Sequence, residues 1–322
     1  MRSSTRSAVL HADLLLPKME ARRLTDVLID TDPGTDDALA LMMALGSPDL
    51  DVLGVTTVGG NATLAHTTRN ALRLLEYMGR TDVPVYRGAA RPLKGRYHYG
   101  YYFHGAAGLG VRLPSPKTPP HPMAAPELIA RVASEHRGGL VVVALGPLTN
   151  IARALALEPR ITGWTKELVV MGGTVEAPGN VTQYAEFNIY NDPVAAGIVL
   201  SSGMEITLVP LDVCTQTCFS RGARAWVPGD TRAARLARRV LAGWFRTHPD
   251  RERYDLCDPL AMAAVIQPDL LTYRQAEVSV ETSDPERLGR TVARYGSGPV
   301  RVASEVEADR ARALIAGSIA GA

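Results

Sequence analysis

Residues 29–37 read Ile-Asp-Thr-Asp-Pro-Gly-Thr-Asp-Asp, which places four carboxylates, Asp30, Asp32, Asp36 and Asp37, within eight positions. They follow an apolar run directly and precede an apolar helical pattern. Carboxylates crowded this closely repel one another unless a cation is present. Asp32-Pro33-Gly34 is turn chemistry, so the chain can fold back and aim several carboxylates at one point. Capping of a helix N-terminus explains one or two aspartates there. It does not explain four, and the string points to a metal site.

Two other acidic patterns fit the residues weakly. An EF-hand loop needs an acid eleven residues after Asp30, where Leu41 stands. A phosphatase of the haloacid-dehalogenase type also begins Asp-x-Asp, but wants Thr or Val where this chain has Gly34.

Elements able to position these carboxylates are legible around them. From residue 24 short β-branched runs alternate with helical patterns: TDVLID, DLDVLGVTTV, VPVYRG, GLVVVALG, KELVVMGG and ITLVP read as strands. DDALALMMALGS, TLAHTTRNALRLLEYMG, LTNIARALAL and DPVAAGIVLSSG read as helices. Continuous Val/Ile/Leu runs suit strands buried on both faces. The alternation predicts an α/β fold, with an open, mostly parallel central sheet and helices on both faces. Ligands of such sheets bind at the carboxyl ends of the strands. Asp30 and Asp32, Asn61 after TTVGG, Leu145 after GLVVVA and Met171 after KELVV all fall at strand ends, and topology can bring them to one crevice.

The segment from about 91 to 125, rich in Tyr, Gly and Pro, reads as a long functional loop or lid. EVSVET, GRTVARYG, PVRVASEV and DRARALIAG read as closing strands and a last helix. No linker or repeat divides the chain, so residues 24–322 are expected to form one catalytic domain. Residues 1–23 are expected to be a disordered extension, or sequence upstream of a start at Met19.

The composition is that of an ordinary globular chain, with a formal net charge of +2 that gives no reason to expect a nucleic-acid or anionic-membrane partner. A small-molecule substrate is the better expectation. Cys214, Cys218 and Cys257 are too few and too oddly spaced for a disulfide framework or a CxxC zinc pair. With no clean signal peptide and no apolar span, the expected compartment is the cytoplasm.

Taken in order, DTDPGTDDALAL, TTVGGN, ALGPLTNIA, VVMGG, GNVTQYAEFNIYNDP and DPLAMA resemble the motifs of the inosine-uridine-preferring nucleoside hydrolases, over about residues 26–310. The resemblance implies a Rossmann-like core and hydrolysis of ribonucleosides to ribose and free base, with Ca2+ at the strand ends. By motif position Asp32, Asp37 and Asp258 would donate carboxylate oxygens to calcium, and Leu145 its backbone carbonyl. Asp32 would also be the general base toward a metal-bound water. Asp36, Asn61, Asn180, Glu186 and Asn188 match positions used around the sugar, with Met171 packed beside it. Asp30 would support the metal loop from behind. A homodimer or homotetramer is implied by resemblance alone.

The chain departs from many members of that family at Cys257, where they carry a histidine able to protonate the leaving base. A subset resembles this chain in having Cys there. A thiol of ordinary pKa about 8.5 is protonated at neutral pH but is a poorer donor than imidazolium. His104 lies in HGAAGLG, similar to the family's HG-x-x-G-x-G loop, and could contact the base or hold the lid. Tyr97, Tyr99, Tyr101 and Tyr102 could offer a stacking surface, and Trp244, His248 and Tyr254 another wall. The competing reading is a calcium-dependent nucleoside- or ribose-binding protein with little turnover, and a phosphatase is a third.

Overall fold

The computed structural model describes residues 24–222 and 226–322, so the expected N-terminal extension lies outside the described residues. In chain order the elements begin β1 (Thr25–Thr31), α1 (Thr35–Gly46), β2 (Leu50–Thr57), α2 (Leu64–Met78), β3 (Val85–Arg87) and α3 (Tyr101–His104). Then come α4 (Ala125–Glu135), β4 (Val141–Ala144), α5 (Thr149–Leu157), α6 (Ile161–Trp164), β5 (Glu167–Met171), α7 (Phe187–Asn191) and α8 (Pro193–Leu200). They are followed by β6 (Ile206–Val209), α9 (Leu211–Cys214), β7 (Cys218–Ser220), α10 (Arg232–Thr247), β8 (Arg253–Asp255) and α11 (Cys257–Ile266). The chain closes with β9 (Leu271–Val280), β10 (Thr291–Tyr295), β11 (Val300–Val306) and α12 (Ala308–Gly321).

One sheet runs β10-β9-β11-β6-β5-β4-β1-β2-β3, and β7 pairs with β8 in a separate antiparallel ribbon. Every neighbour from β11 to β3 is parallel. Only β9 runs against its neighbours, closing the edge with β10. The predicted mostly parallel sheet is therefore present. Its strands feed two cores. Val27 and Ile29 of β1, Val141 and Val143 of β4, and Val169 and Met171 of β5 enter one. Leu28, Val142, Ala144, Leu168 and Val170 enter the other. Side chains alternate across a strand, so burial on both faces demands the unbroken apolar runs that the sequence carries.

Helix α1 sits inside the first core, walled by α2, α10, α11 and α12. All but two of its 12 residues are buried, which is why it is apolar all round rather than on one stripe. After β1 the chain moves outward through β2 and β3, then returns to lay β4 on the other side of β1. Connections leaving in opposite directions open a crevice at the carboxyl ends of β1 and β4, and the acidic string lies there.

The segment expected as a loop is not wholly irregular. It contains α3, ends at α4, and is pinned to the rest of the protein. The Tyr97 hydroxyl donates to Thr149 Oγ1 (2.8 Å), which donates to Asp192 Oδ2 (2.7 Å). The Leu93 N–H donates to that same oxygen at 2.8 Å, and the His98 N–H to Asn191 Oδ1 at 2.6 Å. Helices α10 and α11 carry no assignment from sequence. The buried positions of α10, among them Ala233, Leu236, Ala237, Val240, Leu241 and Trp244, recur at helical spacing.

Asn150, at the start of α5, ties the crevice together. Its Nδ2 donates to Asp30 Oδ1 (2.7 Å) and to the Thr57 carbonyl (3.1 Å), and its Oδ1 accepts from the Ala89 N–H (2.8 Å). Gly88 passes so close that a Cβ there would collide with the Asn150 amide. Asn150→Ala strands a buried N–H and a buried carboxylate, and is expected to cost about 2–3 kcal/mol in equilibrium denaturant unfolding. A change below about 0.5 kcal/mol would show that water takes over these bonds.

Candidate active site

The turn after β1 is built around Asp37. Its Oδ1 accepts from the Thr31 hydroxyl and from the Asp32 N–H (3.2 Å). Its Oδ2 accepts from the Gly34 N–H (2.9 Å) and from Asn61 Nδ2 (3.0 Å). Asp37 thus satisfies a donor at the open N-terminus of α1, part of the capping role weighed from the sequence. The next donor, the Thr35 N–H, is taken by His104 Nδ1 at 3.1 Å. Gly34 is required here, because a Cβ would lie 2.6 Å from His104 Nδ1 and 2.9 Å from Asn61 Nδ2.

Capping leaves the other carboxylates unexplained. Asp32 is wholly buried, and its Oδ2 accepts from the Asn61 N–H at 2.6 Å while Oδ1 has no partner. It is clamped between Gly60 and Gly146, since a Cβ at either position would strike its carboxylate. Asp36 Oδ1 and Asp30 Oδ2 are also buried without partners. Asp258 enters from the first turn of α11, which packs on α1. One oxygen from each of Asp36, Asp37 and Asp258 lies within 4.8 Å of the others.

Burial is the first cause of every shift in this group. It raises Asp30 and Glu186 to about 7 and Asp36 to about 6, against hydrogen bonds that pull the other way. Asp32 and Asp258 are pushed well above the carboxylate range, by burial and then by their acidic neighbours. Asp37 rises for the same two reasons. Two helix N-termini favour negative charge at this point, but no cationic side chain among the described residues pairs with these carboxylates. A set of hard oxygen donors, several unpartnered, is a fit for a hard divalent cation.

The cluster opens onto a cavity of about 410 Å³. Of the residues singled out from sequence, Asp36, Asn61, His104, Leu145, Met171, Asn180, Glu186, Asn188, Cys257 and Asp258 line it. Asp32 and Asp37 stand behind this lining, in the turn it covers. The trio of approaching carboxylates contains Asp36, where the sequence reading put Asp32 with Asp37 and Asp258. Glu186 caps α7, accepting from the Asn188 and Ile189 N–H groups at 2.8 and 3.1 Å, and also from the Gly173 N–H at 3.0 Å. Asn188 Nδ2 bridges two strand ends, donating to the carbonyls of Leu145 (2.8 Å) and Met171 (3.3 Å). Asn180 is exposed at the rim.

A second group of elements supplies an aromatic wall. Phe103 packs on Trp244, His104 and Tyr254 with ring centroids 5.1, 4.9 and 6.2 Å apart, and Trp244 stacks on His248 at 4.3 Å. Of these, Phe103, His104 and Trp244 face the cavity. Among the four tyrosines Tyr102 alone lines it, and at 72% exposure it stands free at the opening. Tyr101 instead accepts from the Thr63 N–H at 3.0 Å, and Tyr97 is buried in the anchor described above. His104 is buried and its pKa falls to about 4, so near neutral pH it is an uncharged imidazole with Nε2–H as its remaining donor. The Cys257 thiol is pushed well above its usual range, first by the neighbouring Cys214 thiol and then by burial. Neither group is an acid matched to neutral pH.

The sequence reading missed Thr215, Arg251, Arg253 and Asp255, which also line the cavity. They lie on a turn and on the three-residue β8, too short for any periodic signal.

The chain matches the family model of the inosine-uridine preferring nucleoside hydrolases over residues 27–313. It is 40% identical over 272 residues to a pyrimidine-specific ribonucleoside hydrolase, RihA, of Photobacterium profundum, covering 83% of this chain and 87% of that one. It is 38% identical over 268 residues to uridine nucleosidase 1 of Arabidopsis thaliana, covering 80% of this chain and 78% of that one. Among solved structures it is similar to the plant nucleoside hydrolase PpNRh1, with a TM-score of 0.87 and 33% identity over 92% of this chain and 99% of that one. With matches of this extent over the sheet, the acidic turn and the cavity, the chain belongs to the inosine-uridine preferring nucleoside hydrolase family, enzymes that hydrolyse ribonucleosides.

Proposed function

We propose that this chain cleaves the N-glycosidic bond of ribonucleosides with Ca2+ held at the carboxyl end of β1 and Asp32 as general base. The observation that carries this reading is the buried acidic cluster, with unpartnered oxygens on Asp32 and Asp36, opening onto a cavity large enough for a nucleoside. Asp37, Asp258, Asp32 and the Leu145 carbonyl are the residues that would hold the cation, with Asp36 close enough to join them. The Leu145 carbonyl accepts from Asn188 with one lone pair and has a second to offer. When bound, calcium supplies a fixed positive charge that lowers the pKa of a coordinated water and holds ribose hydroxyls in place.

Asp32 accepts the proton of the attacking water through its free Oδ1, while the Asn61 N–H and two flanking glycines hold the carboxylate in place. As the bond to the base breaks, positive charge develops on the sugar, and the carboxylates of Asp36 and Glu186 stabilise it. Asn61, Asn180 and Asn188 orient the hydroxyls. Asn188 does so through Oδ1, because its Nδ2 is already committed to two carbonyls. Met171 packs beneath the ring. The uridine nucleosidase and pyrimidine-specific hydrolase among its relatives support nucleoside substrates.

Ribose release from a panel of purine and pyrimidine nucleosides, with and without a calcium chelator, tests the reading. Release that is abolished by chelator and restored by Ca2+ is expected, and chelator-insensitive release would remove the metal from it. Asp32→Ala is expected to lower kcat by about 10³-fold or more while far-UV circular dichroism stays native, since a buried charge in a repulsive cluster has been deleted. Undiminished turnover in that variant would exclude Asp32 as the base.

The pKa shifts give a separate readout. Asp30 and Glu186 near 7 and Asp36 near 6 lie above the ordinary carboxylate values of the unfolded chain. The folded chain therefore holds extra protons, and without metal its stability falls as pH rises from about 4 to about 7. In chelator the thermal midpoint should drop between about pH 5 and pH 8, and Ca2+ should offset most of that drop, because the ligands bind metal when deprotonated. A midpoint indifferent to Ca2+ at both pH values would exclude the cation site.

A further inference from the structure

The second wall of the cavity carries charge of the opposite sign to its acidic floor. Arg251 and Arg253 both line the cavity and are both exposed, so they stand where it meets solvent. Arg253 is not free: its guanidinium is paired with Asp255 Oδ1 at 2.5 Å and also donates to the Thr215 carbonyl. The Arg251 side chain has no hydrogen bond or ion pair among the described residues. Its backbone, by contrast, is fixed. Arg221 donates from Nε and Nη2 to the Arg251 carbonyl at 2.9 and 2.6 Å, and also to the carbonyls of Phe245, His248 and Pro249. One buttressing arginine thus secures the whole turn between α10 and β8, and among the described residues Arg251 stands as an unpaired cation beside the cavity.

The remaining groups on this wall make such a cation chemically useful. His104 spends its Nδ1 lone pair on the Thr35 N–H and is a neutral imidazole, so it is poorly suited to protonate a leaving base. A base that leaves without first being protonated departs as an anion. Bases carrying carbonyls flanking a ring N–H, such as uracil and xanthine, can spread that negative charge onto oxygen. Cytosine keeps one such carbonyl beside the leaving nitrogen, and adenine has none. A guanidinium is always charged near neutral pH and donates readily to an anionic oxygen.

We propose that Arg251 determines base specificity, selecting nucleosides of oxo-bases by donating to the carbonyl oxygen on which negative charge collects as the glycosidic bond breaks. This rests on the nucleoside hydrolase reading above. The water oxygen bonds to the anomeric carbon and its proton passes to Asp32. The electron pair of the broken carbon–nitrogen bond goes to the base and is delocalised onto its oxygen, against Arg251. The free base anion then takes a proton from solvent, and Asp32 returns its own to solvent.

The test compares kcat/KM for uridine against cytidine, and xanthosine against adenosine, in the wild type, Arg251→Met and Arg251→Lys. Arg251→Met is expected to lose about tenfold or more on uridine and xanthosine, mostly in kcat, and no more than about twofold on adenosine, with cytidine, which keeps one carbonyl, between them. Arg251→Lys should recover part of the loss, because it keeps the charge but not the fork. A purely structural role would depress all four substrates equally. Equal losses, or no loss, with the wild type active would overturn the assignment and leave the hydrolase reading standing. A folded, Ca2+-supplied wild type that releases ribose from none of the four would overturn both. Since Arg251 is exposed, an unchanged thermal midpoint is expected in both variants.

Discussion

Electrostatic repulsion within one buried acidic cluster is the constraint around which this molecule is arranged. Asp32, Asp36, Asp37 and Asp258 face one another at the carboxyl end of β1, in surroundings where burial alone raises each carboxyl. Taking like charges out of water costs far more than an ordinary surface cluster. The surrounding structure offsets part of that cost with oriented dipoles rather than with cations. Backbone N–H groups of Asp32, Gly34 and Asn61, the Thr31 hydroxyl and two helix N-termini all point at the cluster. What they leave uncompensated is unpartnered oxygen, and an arrangement left acceptor-rich in this way favours a hard cation.

Much of the fold can be understood as holding that cluster in place. The switch between β1 and β4 creates the crevice, and α1 and α11 bring Asp36, Asp37 and Asp258 to it from one layer. Asn150 secures Asp30 behind them from the other layer. Both helices are almost wholly buried and apolar, so their N-termini are fixed by packing and cannot drift apart to relieve the repulsion. Glycines at 34, 60 and 146 are required because side chains from other elements occupy the space a Cβ would need. Rigidity here serves chemistry, since an acceptor held in one orientation does not have to be organised during reaction.

The cavity divides into two parts with different logic. The strand ends and α7 present carboxylates and amides, several of them already holding the backbone, as Glu186 does in capping α7 and Asn188 in bridging two carbonyls. These residues are structural and cavity-lining at once. The other part, from α3, α10 and β8, is aromatic with arginines at its solvent edge. Neither its neutral His104 nor the raised thiol of the adjoining Cys257 is an acid matched to a leaving base near neutral pH. The raised Cys257 thiol is thus paired with a histidine whose environment keeps it uncharged.

The sequence by itself determined the sheet and the acidic turn. Strands buried on both faces require continuous apolar runs, and four aspartates in eight residues exceed what a helix cap can use. The family motifs also pointed to Asp36, Asn61, Asn180, Glu186 and Asn188, and all five line the cavity. Tertiary structure decided the rest. That Asp36 approaches Asp37 and Asp258 depends on how α1 packs against α11, a contact with no local signature. That Tyr97 is an anchor while Tyr102 stands at the opening depends on Thr149 and Asp192, distant in sequence. Arg251 and Arg253 reach the cavity through a turn held by Arg221 and a three-residue strand. Segments that short have no periodicity to read, so only the packed molecule shows which way their side chains face.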